Sequence, residues 1–105
     1  MQLDLEQVNA LAPDDRNRYM QLEKLFAQPG WRIVVALATN NAAQSLQQAA
    51  LASSWDANRL AIGNHMAWRS IQNLERDTQA LYADKAAQQF AADDLRRIED
   101  EHALE

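Results

Sequence analysis

Glu99-x-x-His102 is the one spacing in this sequence that suggests metal chemistry. On a helix, residues three apart share a face. A Glu-x-x-His pair of this kind supplies two ligands in carboxylate-bridged di-iron bundles. Such a site also needs a second pair and a further glutamate from each of two helices. A symmetric dimer would duplicate the pair, and Glu23 or Glu75 would have to provide the extra carboxylate. The pair lies in the closing run "IEDEHALE", which reads as a solvated acidic end, so no metal is expected. His65, a lone histidine, reads as a hydrogen-bonded packing residue rather than a base or ligand. The two glycines, Gly30 and Gly63, are too far apart to form a phosphate loop. No Ser/His/Asp order suggests a nucleophile, and there is no cysteine. The expectation is therefore a protein with no catalytic residue and no cofactor.

Two aromatic–basic pairs, Trp31-Arg32 and Trp68-Arg69, have the residue types for base stacking beside phosphate contact. Lys and Arg never form a run, and the formal net charge is −5. Phosphate neutralisation needs clustered cations, so direct nucleic-acid binding is disfavoured. The pairs read instead as packed tryptophans beside arginines whose stems cover apolar surface. The charge is uneven: residues 76–105 carry about −4 of the total.

These side chains have to be positioned by helices. The sequence predicts a single all-α domain over residues 1–105: an antiparallel helical hairpin with a short N-terminal helix and a long C-terminal helix. In "MQLDLEQVNALAPDD", Leu5, Val8 and Leu11 fall on one face of a short amphipathic segment. Pro13 suits a first helical position, and Asp14 and Asp15 favour the positive end of the helix dipole. Tyr19, Leu22, Leu25 and Phe26 then recur at helical spacing, giving a helix over about 13–27.

"QPGW" should break the chain. Pro29 lacks an N–H and pushes Gln28 out of helical torsions. Gly30 is expected to supply a torsion that other residues resist. Trp31 should open a second helix over about 31–53. There Trp31, Val35, Ala38, Ala42, Ser45, Ala49 and Ala52 are spaced alternately by four and three, a heptad-like seam of mostly small residues. "ASSW" is the next break, with Ser53 or Ser54 as the cap.

A third helix is predicted over about 55–100, with its seam at Leu60, Asn64, Ala67, Ile71, Leu74, Thr78 and Leu81. Trp31, Trp55 and Trp68 are expected to fix the hairpin. Gly63, costing about 1 kcal/mol relative to alanine in mid-helix, implies a close approach near Ser45. At 1.5 Å per residue the second helix spans roughly 35 Å and the third roughly 70 Å. Residues 83–105 should then form a projecting arm, with a weak stripe at Ala87, Ala91, Leu95 and Ile98. The expected interaction residues are Trp31, Trp68, Tyr82, Phe90, Leu95 and Ile98. The expected structural residues are Pro29, Gly30, Trp55 and Gly63.

The stretches "LEKLFAQPGW" and "SWDANRLAIGNHMAWRSIQNLE" resemble the short all-helical proteins encoded by tailed bacteriophages, over roughly residues 19–82. The resemblance implies a virion or assembly component, or a small factor used during infection, and it carries over no functional residue. Together these readings predict a non-enzymatic structural or assembly protein that packs against its own copies or other particle proteins. The alternative is an acidic helical module that binds and modulates a host or phage protein. No signal peptide or membrane span is expected, placing the chain in the host cytoplasm at synthesis, with the virion as a further candidate location.

Overall fold

Helix-forming residues dominate every stretch between the predicted breaks, and the chain follows them. The structure, a computed structural model, describes residues 2–103 and is all-helical, with no strand among the described residues. Five helices follow in order: α1 (Leu5–Ala10), α2 (Pro13–Phe26), α3 (Pro29–Leu51), α4 (Trp55–Gln72) and α5 (Leu74–Ala103). Residues 104 and 105 of the expected arm lie outside the described residues.

Local chemistry sets the boundaries. Asp4 and Gln7 form a reciprocal capping box at α1. The Gln7 amide donates to Asp4 Oδ1 at 2.8 Å, and the Asp4 amide donates to Gln7 Oε1 at 3.0 Å. Two otherwise unpaired helical amides are thereby satisfied. Gln28 is extended at φ −71°, ψ 139°, as the residue before a proline should be. Ser54 caps α4 by accepting from the Ala57 amide at 3.1 Å.

Three expectations need correction. First, α3 begins at Pro29 rather than Trp31, and Gly30 lies within it. No described residue takes a positive φ, so Pro29 and the extended Gln28 make the joint without glycine freedom. Second, the helix expected over 55–100 is two helices separated at Asn73, which adopts φ −97°, ψ 3°. Asn73 sits in the sparsely allowed bridge region, and its amide still donates to Arg69 O at 3.0 Å. The break therefore costs no backbone hydrogen bond at that amide. Third, nothing lies within 4 Å of where a side chain on Gly63 would start. Gly63 is exposed and is not a point of close approach.

Where the sequence reads as one domain over 1–105, the packing divides into two compact units, residues 1–23 with 76–105, and residues 24–75. The first has a core of Leu11, Tyr19, Tyr82 and Ala86, flanked by Leu3, Val8, Ala10 and Leu22. The second is built on α3 packed against α4. The small-residue seam of α3 is where the sequence places it: Trp31, Ala38, Ala42, Ser45 and Ala49 are buried, and Val35 and Ala52 are half-buried. The seam of α4 is not. Leu60, Asn64 and Ala67 are exposed, while Asn58, Ala61, His65, Trp68 and Gln72 turn inward.

Candidate interaction surface

Polar side chains occupy the inner face of α4 because main-chain oxygens of α3 receive them. Asn58 Nδ2 donates to Ala49 O at 2.7 Å. His65 Nδ1 lies 2.7 Å from Ala42 O. A carbonyl only accepts, so this contact assigns the proton to Nδ1. His65 is thus the hydrogen-bonded packing residue that the sequence suggested.

The aromatic residues separate into two groups. Trp31 is buried, with its ring centroid 5.0 Å from that of Phe26. Its Nε1 is buried with no hydrogen-bond partner among the described residues. Tyr82 is buried against Tyr19, the ring centroids 5.4 Å apart. Both were named as interaction residues, Trp31 also as a packed tryptophan. They are core residues, because neighbours within the same chain already cover them. Trp68 is half-buried on the inner face of α4. Trp55 departs furthest from expectation: it is 69% exposed, with the Arg59 guanidinium 4.6 Å above its ring, and so it does not pin α4 to α3.

Phe90, Leu95 and Ile98 on α5 are exposed. From Ala91 to Ala103 every described residue of α5 is exposed. Phe90 lines an open groove of about 580 Å³ together with Leu5, Glu6, Asn9, Ala10 and Asp93. α1 therefore accompanies α5 as far as Phe90 and Asp93.

Several contacts that fix the first unit were not anticipated from the sequence, and Glu23, named there only as a possible metal carboxylate, serves as a hydrogen-bond acceptor. Arg16 donates from Nη2 to Asn9 O at 2.8 Å and to Leu11 O at 3.2 Å, and from Nε to Val8 O at 3.2 Å. A cation thus gathers carbonyls at the end of α1, including that of Val8, which also accepts the Leu11 amide. Glu23 accepts from the Tyr19 hydroxyl at 2.5 Å and from Gln2 Nε2 at 2.6 Å. The same hydroxyl accepts from the Leu3 amide at 3.1 Å. Burial, followed by the Glu23 hydrogen bond, pushes the Tyr19 phenol up to about 12. The Leu3 amide opposes that shift. Lys85 reaches Asp15 at 3.2 Å and lies 5.4 Å from the centroid of the Tyr82 ring. The i, i+4 spacing of Tyr19 and Glu23 and the Asp4-x-x-Gln7 signature were readable signals. The Arg16 and Lys85 contacts depend on the tertiary fold.

Among the described residues, no group of three or more His, Cys, Asp or Glu side chains is arranged to hold a metal ion. No helix among them is long and apolar enough to cross a membrane. In comparison with known proteins, the chain matches no family model, no curated protein and no solved structure.

Proposed function

We propose that this chain is a non-enzymatic helical building block, a structural or assembly protein of a phage particle, acting by packing its helices against other chains. The observation that carries the reading is α5 from Ala91 to Ala103. It is exposed throughout yet keeps apolar Leu95 and Ile98 at helical spacing beyond Phe90. Isolated helices are marginal in water even when rich in alanine, so a neighbouring helix would stabilise this segment substantially. We read α3 and α4 as an antiparallel hairpin. In support, His65 pairs with Ala42 and Asn58 with Ala49, so one helix ascends as the other descends. The phage setting comes from the sequence resemblance over residues 19–82. The reading assigns no catalytic residue and no cofactor.

A second reading draws on the same segment. Asp93, Asp94, Glu99, Asp100 and Glu101 are all exposed, an acidic surface suited to docking on a basic host or phage protein and modulating it. Salt would weaken that contact and leave apolar helix packing largely unaffected.

Hydrogen exchange of residues 91–103 across a dilution series tests the primary reading. We expect protection that rises with protein concentration and persists in high salt. Fast exchange at every concentration would remove its support.

A further inference from the structure

Within the unit spanning 24–75, most of the seam that the sequence assigns to α4 is left uncovered. Leu60, Asn64, Ala67 and Ile71 keep a regular spacing of four, three and four, yet the first three are exposed and Ile71 is half-buried. A parallel stripe runs along α3 at Leu37, Asn41, Gln44, Gln48 and Leu51, where only Asn41 is half-buried. The two stripes adjoin. Gln48 and Leu51 from α3 and Leu60 and Asn64 from α4 line one groove of about 340 Å³. All of these residues belong to the unit spanning 24–75.

We propose that this two-helix face is the docking surface for a second copy of the chain, joining two hairpins as a four-helix arrangement; the proposal rests on the helix-packing reading above. Three observations select a second copy as the occupant. The first is chemical. Neither stripe contains a charge, and the whole of α3 carries a single charged residue, Arg32. A helix face left in water is ordinarily charged or strongly polar. This one has aliphatic residues at its ends, Leu37 and Leu51 on α3 and Leu60 and Ile71 on α4, with uncharged Asn41, Gln44, Gln48, Asn64 and Ala67 between. Asn and Gln side chains both donate and accept, so an amide band complements a copy of itself, as a two-fold interface requires.

The second observation is exposure. Leu37, Leu51 and Leu60 on this face stand 56%, 84% and 69% exposed, large apolar side chains that a second copy would cover.

The third is the content of the seam between α3 and α4. The residues buried along these two helices are Trp31, four alanines and Ser45. A seam of single methyl groups leaves most of the apolar side-chain area of these helices unburied, and small scaffolds commonly complete such cores by oligomerising.

Light scattering over a dilution series, on the full chain and two double variants, tests the assignment. The unaltered chain should have twice the 11.9 kDa chain mass and dissociate on dilution. Leu37→Glu with Leu60→Glu should halve the mass while leaving circular dichroism unchanged, because both leucines are already exposed. Two-fold symmetry doubles each introduced charge at the interface. Leu95→Glu with Ile98→Glu should leave the mass at two chains. If the first variant keeps the two-chain mass, or only the second loses it, the assignment of this face is overturned while the helix-packing reading stands. A one-chain mass throughout for the unaltered protein overturns the second copy as occupant. Combined with unprotected exchange over 91–103, that result overturns the helix-packing reading as well. Should the first variant lose helicity, Gln44→Cys with a nitroxide label replaces it, in a chain that has no other cysteine. Dipolar coupling between chains, abolished by excess unlabelled protein, supports the face; its absence in the two-chain species overturns it.

Discussion

The two units hold their helices by opposite means. In the unit formed by 1–23 and 76–105, large rings meet. Tyr19 packs on Tyr82, and the Tyr19 hydroxyl is fixed by Leu3 and Glu23. In the unit spanning 24–75 one ring pair, Phe26 with Trp31, sits where α2 meets α3, and beyond it α3 and α4 come together over alanine and serine, with Asn58 and His65 bonded directly to carbonyl oxygens of the facing helix. Burying one methyl group contributes about 0.8 kcal/mol, and a fully buried large side chain several times that. The first unit therefore draws its stability from a few large contacts. The second depends on nothing large intruding. The consequence is a difference in vulnerability: truncation should damage the first unit most, and enlargement the second.

The largest effect is expected from Tyr82→Ala. Removing this buried ring leaves Tyr19 without its stacking partner and opens a cavity beside Leu11 and Ala86. Aromatic-to-alanine changes in cores cost about 3–5 kcal/mol. Urea unfolding followed by circular dichroism measures it, and a loss below 1 kcal/mol would break the distinction drawn for this unit.

Ala38→Leu should come next. Ala38 is 0% exposed, so the added carbons meet α4 directly. Overpacking of this kind costs typically 1–3 kcal/mol. Ala36→Leu, at an exposed position of the same helix, is the control and should be nearly neutral. If the two leucines behave alike, the seam is not closely packed.

The same contrast explains what the sequence disclosed. Helices α2 and α3 were legible because Pro13 marks one start and Pro29 the break before the other, although α3 begins at Pro29 itself, and because a repeating file of small residues on α3 has few other uses. The α4 seam was misplaced because apolar periodicity assumes that polar residues face water. Here Asn58 and His65 face inward, since carbonyls of α3 satisfy them. Leucine and isoleucine at the alternative spacing then marked the outer stripe instead. The break at Asn73 was not legible, because its torsions still permit the amide bond to Arg69. The core of the first unit joins Tyr19 to Tyr82, residues far apart in sequence, and no local pattern announces such a pairing. Tyr82 was accordingly read as surface to be offered rather than as core, Trp31 both as a packed anchor and as interaction surface, and Trp55 as a clamp although it lies in the open. On α5, by contrast, Leu95 and Ile98 stand on the exposed stretch where a weak local stripe placed them.

Gly63→Ala should give the smallest of these effects, with the opposite sign. The position reads as a close approach only if the outer and inner faces of α4 are exchanged. On the observed face a new Cβ would meet nothing within 4 Å, and the backbone there is ordinary helix. A glycine in a helix interior costs roughly 0.8–1.0 kcal/mol relative to alanine, mainly through the freedom it gives the unfolded chain. The substitution should therefore stabilise by about 1 kcal/mol, seen as a higher urea midpoint with an unchanged slope. A destabilisation would mean that another helix approaches Gly63 after all. Since no described residue does so, that helix would come from a different molecule, and α4 would be covered on its outermost side as well as along the stripe at Leu60 and Ala67.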